Sequence, residues 1–373
     1  MNHEASEIAY LAWIADAKLP ANCVRNLVLY YKTGEEVYRA VMNDDAMISQ
    51  IIAPETALRL KNTRDKEYLH LIYNLILRNN IKAMTANDPQ FPELLKDISD
   101  PVSILFYQGN PECLKKRIIG MVGSRRASYD GLRAAEAISC ELSRKGVSIV
   151  SGFAYGIDSA SHQGCVRGGS PTIAVMGCGL DQNYPADNAK LKETVLKSGG
   201  VFLTEYAPGE KPLPVNFPYR NRIISAIGAS LVLIEARIRS GSLRTVDHAL
   251  KQGKEVFVYP GDPRSPNYEG NHQLLRDGAR YFTSADDILE DMNWLDNMSN
   301  EVQNSDCDTS VGTANPAEVT ILKLLKRGDM SFEQIAAESK MLPADLLSHL
   351  TMLQILGKVE SLPGKKYSLK STS

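Results

Sequence analysis

Short apolar runs alternate with amphipathic stretches through the middle of the chain, from about residue 117 to residue 259. The apolar runs predict strands at residues 117–122, 147–150, 172–176, 201–204, 231–234 and 255–259. The stretches between them predict helices at residues 129–145, 158–166, 188–197, 219–227 and 242–251. This alternation is typical of right-handed βαβ units, and continuous apolar strands are expected where both faces of a sheet are covered. We therefore predict a doubly wound, mostly parallel α/β sheet.

The first 80 residues carry apolar positions at helical spacing. The first predicted helix has one apolar face, a second runs from about Ala21 to near Gly34, and a third stretch opens at Pro54. The apolar positions of the first helix are Ile8, Leu11, Ile14 and Ala15, and those of the last stretch are Tyr68, Leu71, Ile72, Leu75 and Ile76. A small helical bundle of this kind offers no groups for chemistry, and we interpret it as a docking or spacer domain.

The composition changes again after residue 292. Residues 293–315 contain no Lys or Arg and much Ser, Asn and Asp, which is typical of a flexible linker. Residues 316–373 then predict three helices: one at 317–326, one opening at a Ser331–Gln334 capping box, and one from Pro343 to about residue 356. Two strands around a Pro363–Gly364 turn follow, which completes a winged-helix pattern. The expected domains are 1–80, 81–292 and 316–373, with 293–315 as the linker.

The predicted winged helix leaves two functions open. Its third helix carries Met352 and Gln354, whereas a DNA-reading helix normally presents Arg or Lys there. Lys365 and Lys366 on the predicted wing are placed to contact phosphate. Contact with a protein and weak contact with DNA are both compatible with this pattern.

Composition limits the classes of function. The chain has 373 residues, 42 Lys and Arg against 44 Asp and Glu, and 43% hydrophobic residues, which is ordinary for a folded protein. A net charge of -2 excludes a basic coat that would bind nucleic acid by bulk charge. Any nucleic-acid site must therefore be a local positive patch.

Targeting and metal signals are weak. The first 20 residues lack a basic segment before an apolar run, so no signal peptide is expected, and no uncharged apolar run suggests a membrane span. The six cysteines are dispersed without a C-x-x-C pair, so neither a zinc site nor a disulfide framework is expected. We expect a cytoplasmic protein with reduced thiols and no metal site.

Two glycine-containing loops follow neighbouring predicted strands. In the first, a buried strand ends at Val122, Gly123 allows a close turn, Arg125 and Arg126 follow, and a helix begins near Ser128. Free N–H groups at a helix N-terminus bind anions, so we expect a phosphate site there. The second loop, with Gly152, Gly156 and Asp158, repeats the arrangement. Ligands of doubly wound sheets bind at the carboxyl ends of the strands, so two such loops together suggest two or more phosphates.

Asp158 and His162 lie four residues apart on one predicted helix face. Such a pair can do acid–base chemistry, but a helix cap and a structural hydrogen bond explain it more simply. We therefore assign the pair a structural role.

Aromatic and basic residues are interleaved in a third cluster. Phe217 and Tyr219 lie next to Arg220 and Arg222, and Asn221 lies between the two arginines. Single-stranded nucleic acid needs such a combination, because its bases stack on flat rings and its backbone binds cations.

A fourth cluster lies at another crossing from strand to helix. Arg237, Arg239 and Arg244 surround Ser240 and Gly241 there. We expect these arginines at the same rim of the sheet as the first two loops.

Six ordered motifs resemble those of the DprA/Smf family of DNA-processing proteins: GSRRASYDG, SGFAYGIDSASH, TIAVMGCGLDQNYP, FPYRNRII, EARIRSGSL, and VYPG followed by EGNHQLLRDGA. The resemblance is close over residues 81–290. It implies a Rossmann-like domain between an N-terminal helical (SAM-like) domain and a C-terminal winged helix. It also implies a non-catalytic protein without a cofactor that binds incoming single-stranded DNA in natural transformation and dimerises through the Rossmann-like domain. Loading of the RecA recombinase and displacement of single-strand-binding protein are implied as well.

The resemblance also implies roles for individual residues. Gly123, Ser124 and Arg125 would hold backbone phosphates, as would Ser151 and Gly152, and Phe217 would contact a base. The rest of the implied groove consists of Arg220, Asn221, Arg222, Arg239, Ser240 and Gly241. Some relatives carry a Lys three residues before the Phe, where this chain has Pro214, and Lys211 is a possible substitute.

The rival hypothesis is a nucleotide-hydrolysing phosphoribohydrolase on a similar fold. Those enzymes carry a G-G-x-G-T-x-x-E loop, and the comparable stretch here, SGSLRTVDH, has His248 three residues after Thr245 in place of the Glu. The hypothesis of a dehydrogenase has even less support, because the dinucleotide-binding fingerprint is absent from the sequence. A third hypothesis is a scaffolding protein whose phosphate-binding loops are vestigial.

Overall fold

The structure is a computed structural model. It describes residues 3–63, 66–294, 321, 324–325, 330–339, 341, 346, 350, 353, 359–362 and 366–369. The chain divides into two compact units, Met1–Ser299 and Asn300–Ser373. The helices of the first unit begin with α1 His3–Asp16, α2 Ala21–Tyr31, α3 Gly34–Met42, α4 Ile48–Ile51, α5 Pro54–Thr63 and α6 Lys66–Asn79.

Nine strands form one sheet among the described residues of this unit. The strands are β1 Lys82–Thr85, β2 Ile104–Gly109, β3 Ile118–Val122, β4 Ser148–Ser151, β5 Ile173–Val175, β6 Val201–Thr204, β7 Leu231–Leu233, β8 Val256–Val258 and β9 Arg280–Tyr281. The remaining helices of the unit are α7 Tyr129–Arg144, α8 Ile157–Gly168, α9 Ala189–Lys197, α10 Asn216–Ile227, α11 Ser242–Lys251, α12 Glu269–Arg276 and α13 Ala285–Asp291.

The sheet has the order β1-β2-β6-β5-β4-β3-β7-β8-β9. All neighbours from β6 to β9 in this order are parallel, while β2 pairs antiparallel with both β1 and β6. The chain runs outward from β3 through β4, β5 and β6 and then returns to β7 on the other side of β3. The switch point between β3 and β7 is where doubly wound sheets hold their ligands.

Both faces of the sheet are buried. One face packs against α10 and α11, and part of the other packs against α7, α8 and α13. The helices α1–α6 share a third core with the sheet, in which Trp13 and Ile76 belong to the same apolar cluster as Phe106 and Phe202. The helices are therefore held by the sheet, and the boundary at residue 80 stays a prediction.

The predicted doubly wound, mostly parallel α/β sheet is confirmed. Each of the six predicted strands is present to within two residues at either end, and α10 starts at Asn216, three residues earlier than predicted. The antiparallel edge formed by β1 and β2 was not predicted. In the helical part, Ile72 and Ile76 are buried as expected, but Leu71 is 59% exposed.

The second unit contains β10 Met330–Ser331, α14 Phe332–Ser339, β11 Val359–Leu362 and β12 Lys366–Leu369 among its described residues. The three strands pair antiparallel in the order β10-β12-β11. The predicted capping box is confirmed, because Gln334 N donates to Ser331 Oγ (3.3 Å) and Ser331 N donates to Gln334 Oε1 (2.8 Å).

Several predictions for this part of the chain fall outside the described residues. They concern the linker beyond residue 294, most of the first and third helices, Met352, Gln354 and Lys365. Lys366 is described and exposed.

Candidate nucleic-acid interface

A groove with a volume of about 680 Å³ lies at the carboxyl ends of the strands, at the switch point between β3 and β7. Its walls are the loop after β3, the loop after β7 and one side of α10. Most of the predicted site residues line it, namely Gly123, Ser124, Arg125, Phe217, Arg220, Asn221, Arg239, Ser240 and Gly241. Ser151, Gly152 and Arg222 are not among the lining residues.

The groove is strongly basic on a chain that is slightly acidic overall. Arg125, Arg126, Arg237 and Arg239 line it and are exposed, and Arg220 lines it from a buried position. Asp158 is the one acid among its described lining residues. The local positive patch required by the sequence is therefore present at this rim.

The loop after β3 is fixed from both sides. Ser124 N donates to the carbonyl oxygen of Glu235 (2.8 Å), and the Ser124 carbonyl accepts from Ile157 N (3.1 Å). Gly156 has a φ of +77°, and a Cβ there would overlap the Ser124 carbonyl oxygen. A glycine is thus required for α8 to support the backbone that presents Arg125.

At the N-terminus of α7, where the sequence predicts a phosphate site, the chain places its own Glu235 carboxylate against Ser128. Glu235 is 1% exposed and accepts from Ser128 N at 3.1 and 2.9 Å. The Ser128 hydroxyl also donates to Glu235 and accepts from Gly131 N (3.1 Å), so the first turn of α7 is capped. The exposed cations of this loop are Arg125 and Arg126.

The second loop lies beneath the groove and does not line it, except at Ala154 and Asp158. Ser151 is fully buried, and its hydroxyl donates to the carbonyl oxygen of Met121 (2.7 Å). Arg220 Nη1 donates to the carbonyl oxygen of Gly152 (2.8 Å), and a Cβ at Gly152 would lie 2.7 Å from Arg220 Nη2. The backbone at Gly152 therefore supports Arg220.

Burial dominates the titration of the groups under the groove. It raises the pKa of the Asp158 carboxyl, an effect that Arg220 and the Ala154 N–H oppose. Burial also lowers the pKa of Arg220 to about 10, still well above neutral pH. Arg220 therefore stays charged and contributes to the positive potential of the groove.

The structural hydrogen bonds expected of Asp158 and His162 are present, but Asp158 does not cap α8, whose N-cap is Gly156 without a side-chain bond. Asp158 Oδ2 accepts from Ala154 N (3.2 Å), and His162 Nδ1 lies 2.7 Å from Thr172 Oγ1. Since the Thr172 hydroxyl donates to Ile149 O (2.8 Å), Nδ1 of the histidine must carry the proton. His162 is fully buried, and burial lowers its pKa to about 3, so the ring is neutral.

The aromatic and basic residues of the third sequence cluster, Phe217 to Arg222, lie on two different sides of helix α10. Phe217, Arg220 and Asn221, spaced by three and four residues, line the groove. Tyr219 and Arg222 line a different cavity of about 400 Å³. The helical period alone separates residues that are adjacent in the sequence.

Arg222 is held in ion pairs away from the groove. Its side chain is 5% exposed and binds the Glu205 carboxylate at 3.1 and 2.7 Å and Asp100 at 3.3 Å. Burial raises the pKa of Glu205, and Arg222 opposes that rise. The structure thus gives this arginine a role in holding α10 against β6 and its neighbours.

Phe217 does not offer an open ring face in this conformation. It is 8% exposed, and its ring centroid lies 5.1 Å from that of Tyr184. The guanidinium carbons of Arg125 and Arg220 lie 5.1 and 5.8 Å from the same centroid. The ring is thus surrounded by Tyr184, Arg125 and Arg220.

Three further predicted residues are placed as follows. Pro214 lines the groove, whereas Lys211 and Arg244 are exposed and are not among its lining residues. Two site residues were missed or given too little weight in the sequence analysis. Glu235 was not predicted, and Arg126 was named only as added charge beside Arg125. An acid directly after a buried strand was the available signal for Glu235.

Other kinds of site are missing from the described part of the chain. It contains no cluster of three or more His, Cys, Asp or Glu that could hold a metal ion. Within the same residues, no helix is both long and apolar enough to cross a membrane. The described cysteines are all free thiols.

Two family models match the chain. DNA recombination-mediator protein A matches residues 82–293, and the DprA winged helix domain matches residues 308–365. The DNA processing protein DprA of Streptococcus pneumoniae is 41% identical over 54% of this chain and 71% of its own length. The corresponding protein of Bacillus subtilis is 36% identical over 63% of this chain and 80% of its own length.

Solved structures agree with the sequence matches. The crystal structure of Streptococcus pneumoniae DprA aligns with 78% of this chain and 98% of its own, at a TM-score of 0.65 and 33% identity. A Helicobacter pylori DNA processing protein A, described for its single-stranded DNA binding mode, covers 57% of this chain and 95% of its own, at a TM-score of 0.51 and 25% identity. Since the first family model spans more than half of the residues and the relatives share the sheet, this chain belongs to the DNA recombination-mediator protein A (DprA/Smf) family.

Proposed function

We propose that the groove binds single-stranded DNA without marked sequence preference. The observation that carries this proposal is the juxtaposition of four exposed arginines with Phe217 and Asn221 in one groove. The arginines suit backbone phosphates, which carry no sequence information. A narrow groove lined by loops and one helix suits a single strand whose bases are free to turn toward a ring.

Binding in this proposal proceeds by an exchange at Arg125. The guanidinium leaves the face of Phe217 to bind a phosphate, and a base takes its place on the ring. A charge-assisted hydrogen bond and a base stack then replace the cation–π interaction, and each is at least as strong as that interaction. Arg220, held by Gly152, stays behind the ring and keeps it in place.

The wider role follows from family membership. We propose that the chain protects incoming DNA in natural transformation, loads the RecA recombinase and displaces single-strand-binding protein. We further propose that it acts in the cytoplasm as a homodimer through the Rossmann-like domain, without catalysis or a cofactor. The single-stranded DNA binding described for the Helicobacter pylori relative supports the first step of this sequence.

The test compares single-stranded and duplex DNA of the same sequence by fluorescence anisotropy over a range of salt concentrations. We expect tighter binding of the single strand and a linear fall of log affinity with log salt. Equal or better binding of the duplex would contradict the proposal. Steady release of base from nucleoside monophosphates, abolished by His248→Ala, would establish the rival enzyme.

A further inference from the structure

Tyr129 and Arg133 form an exposed pair on the first turns of α7, called the α7 patch here. Tyr129 is the first residue of the helix and is 73% exposed. Arg133, one turn further on, is exposed and places its guanidinium carbon 5.8 Å from the centroid of the Tyr129 ring. Neither residue lines the groove, and the capping of α7 by Ser128 and Glu235 does not involve them.

The α7 patch adjoins one end of the groove. Arg126, three residues before Tyr129, and Arg237 both line the groove, and Arg237 Nη2 donates to Asn267 Oδ1 (2.6 Å). The next residue, Tyr268, places its hydroxyl 3.5 Å from the hydroxyl of Ser128. Ser128 immediately precedes Tyr129, so a continuous set of contacts runs from the arginines of the groove to the patch.

The chemistry of the α7 patch repeats that of the groove. A ring with an accessible face and a neighbouring guanidinium are the two groups that bind a base and the phosphate beside it. The acidic Asp130 follows Tyr129 in the sequence but lies about 100° further around the helix. Tyr129 and Arg133, at positions i and i+4, share one side.

We propose that a bound strand leaves the groove past Arg126 and Arg237 and continues over α7, where Tyr129 stacks on a base and Arg133 binds the adjacent phosphate. This inference rests on the proposed function of the groove. It adds a second, separate stacking position and predicts a binding site longer than the groove itself.

The first test measures affinity for thymidine strands of about four and about twenty nucleotides, lengths that span the usual range for one single-strand-binding domain. Tyr129→Ala should weaken binding of the long strand roughly tenfold, the effect of removing one base stack, and leave the short strand unchanged. Tyr129→Phe should retain wild-type affinity, because the ring does the stacking. Tyr30→Ala, which removes an exposed tyrosine from α2, is the matched control and should have no effect.

The second test is photo-cross-linking with a long strand that carries 5-iodouracil. Tryptic peptide 127–133 contains Tyr129 as its one aromatic residue, so a cross-link in this peptide identifies the contact. Equal affinity of Tyr129→Ala and wild type for the long strand, with no cross-link in this peptide, would overturn the α7 patch and point to a protein partner for Tyr129.

Arg125→Ala separates this failure from failure of the proposed function. If Arg125→Ala weakens binding of both strands while Tyr129→Ala weakens binding of neither, the groove is the DNA site and the α7 patch is not part of it. If Arg125→Ala weakens binding of neither strand, the groove is not the DNA site, and the inference about the α7 patch is wrong as well.

Discussion

The guanidinium carbon of Arg125 lies 5.1 Å from the centroid of the Phe217 ring, across the groove at the switch point. The two residues come from the loop after β3 and from α10, which are more than 90 positions apart in the sequence. Because one side chain covers the other, the phosphate contact proposed for Arg125 and the base contact proposed for Phe217 are coupled. Replacing Arg125 should therefore uncover the ring of Phe217 as well as remove a phosphate contact.

Arg125→Ala should weaken binding of all single-stranded sequences to a similar degree and reduce the slope of log affinity against log salt by about one unit. The reason is that the substitution removes one phosphate contact and no base-reading contact. Arg144→Ala is the matched control, because Arg144 is exposed at the opposite end of α7. A slope that stays the same in Arg125→Ala would show that this residue contacts no phosphate.

Phe217→Ala should cost about 1–3 kcal/mol of affinity for a normal strand if the ring stacks on a base. It should also lower stability, since the ring packs on Tyr184 and is 8% exposed. The measurement therefore compares normal and abasic strands for wild type and variant under conditions where both are folded. Wild type should prefer the normal strand, and the variant should lose that preference. A wild-type protein that binds both strands equally would rule out stacking.

Arg222→Ala should destabilise the fold by about 3–5 kcal/mol, because it leaves the buried Glu205 carboxylate without its partner. The salt slope for DNA should not change, since Arg222 lines the other cavity. The double variant Arg222→Met with Glu205→Gln should be more stable than Arg222→Ala, because the buried carboxylate of Glu205, which Arg222→Ala leaves unpaired, is replaced by a neutral amide. Urea unfolding measures the stability, and a lowered salt slope in a folded Arg222 variant would return this residue to the DNA site.

His162 should make stability depend on pH on the acidic side of neutrality. Its pKa in the folded chain is about 3, below the ordinary 6.5, so the unfolded chain takes up a proton that the folded chain does not. Its stabilising effect is complete above pH 6.5 and is lost as the pH falls toward 3. Lowering the pH from 7.5 to 5.5 should cost about 1.4 kcal/mol through this group.

His162→Gln keeps a hydrogen-bond donor for Thr172 and removes the titration. The free energy of unfolding of wild type and variant, measured at both pH values, should therefore show a smaller pH dependence in the variant. Identical pH dependence in the two proteins would mean that His162 binds its proton equally well in the folded and the unfolded chain.

Deletion of residues 316–373 should leave single-strand binding largely intact. The groove and its arginines all lie in the unit Met1–Ser299, and the chain from residue 300 onward forms a separate unit. Anisotropy titration of the truncated and full chains with the same strand gives the comparison. Loss of binding on truncation, in a protein whose circular dichroism shows a folded α/β unit, would make the winged helix the main reader.

The sequence was sufficient where the relevant interactions are local. The strands and helices from β3 to α11 are predicted by the short-range periodicity of apolar residues. The period of an α-helix also predicts that Phe217 and Arg222 lie on different sides of α10. The antiparallel pairing of β2 with β6 could not be read in this way, because Phe106 pairs with Thr204 nearly 100 positions later. The capping of Ser128 by Glu235, 107 positions apart, is equally non-local. Contacts between residues so far apart leave no pattern of spacing in the sequence. The contact between Ser128 and Glu235 nevertheless determines which part of the loop after β3 is accessible to a ligand.

Glu235 gives helix α7 a carboxyl group of its own at the end where an external anion would bind. A dissolved phosphate or a free nucleotide cannot bind at this helix end, because Glu235 occupies it. In the proposed function it binds only the arginines of the rim, and it is small enough to contact only a few of them. A strand carries many linked phosphates, and once the first is bound the tether keeps the next ones at high local concentration. In the proposed function the groove therefore discriminates by polymer length, so that the nucleotide pool of a cell competes poorly with even a short stretch of DNA.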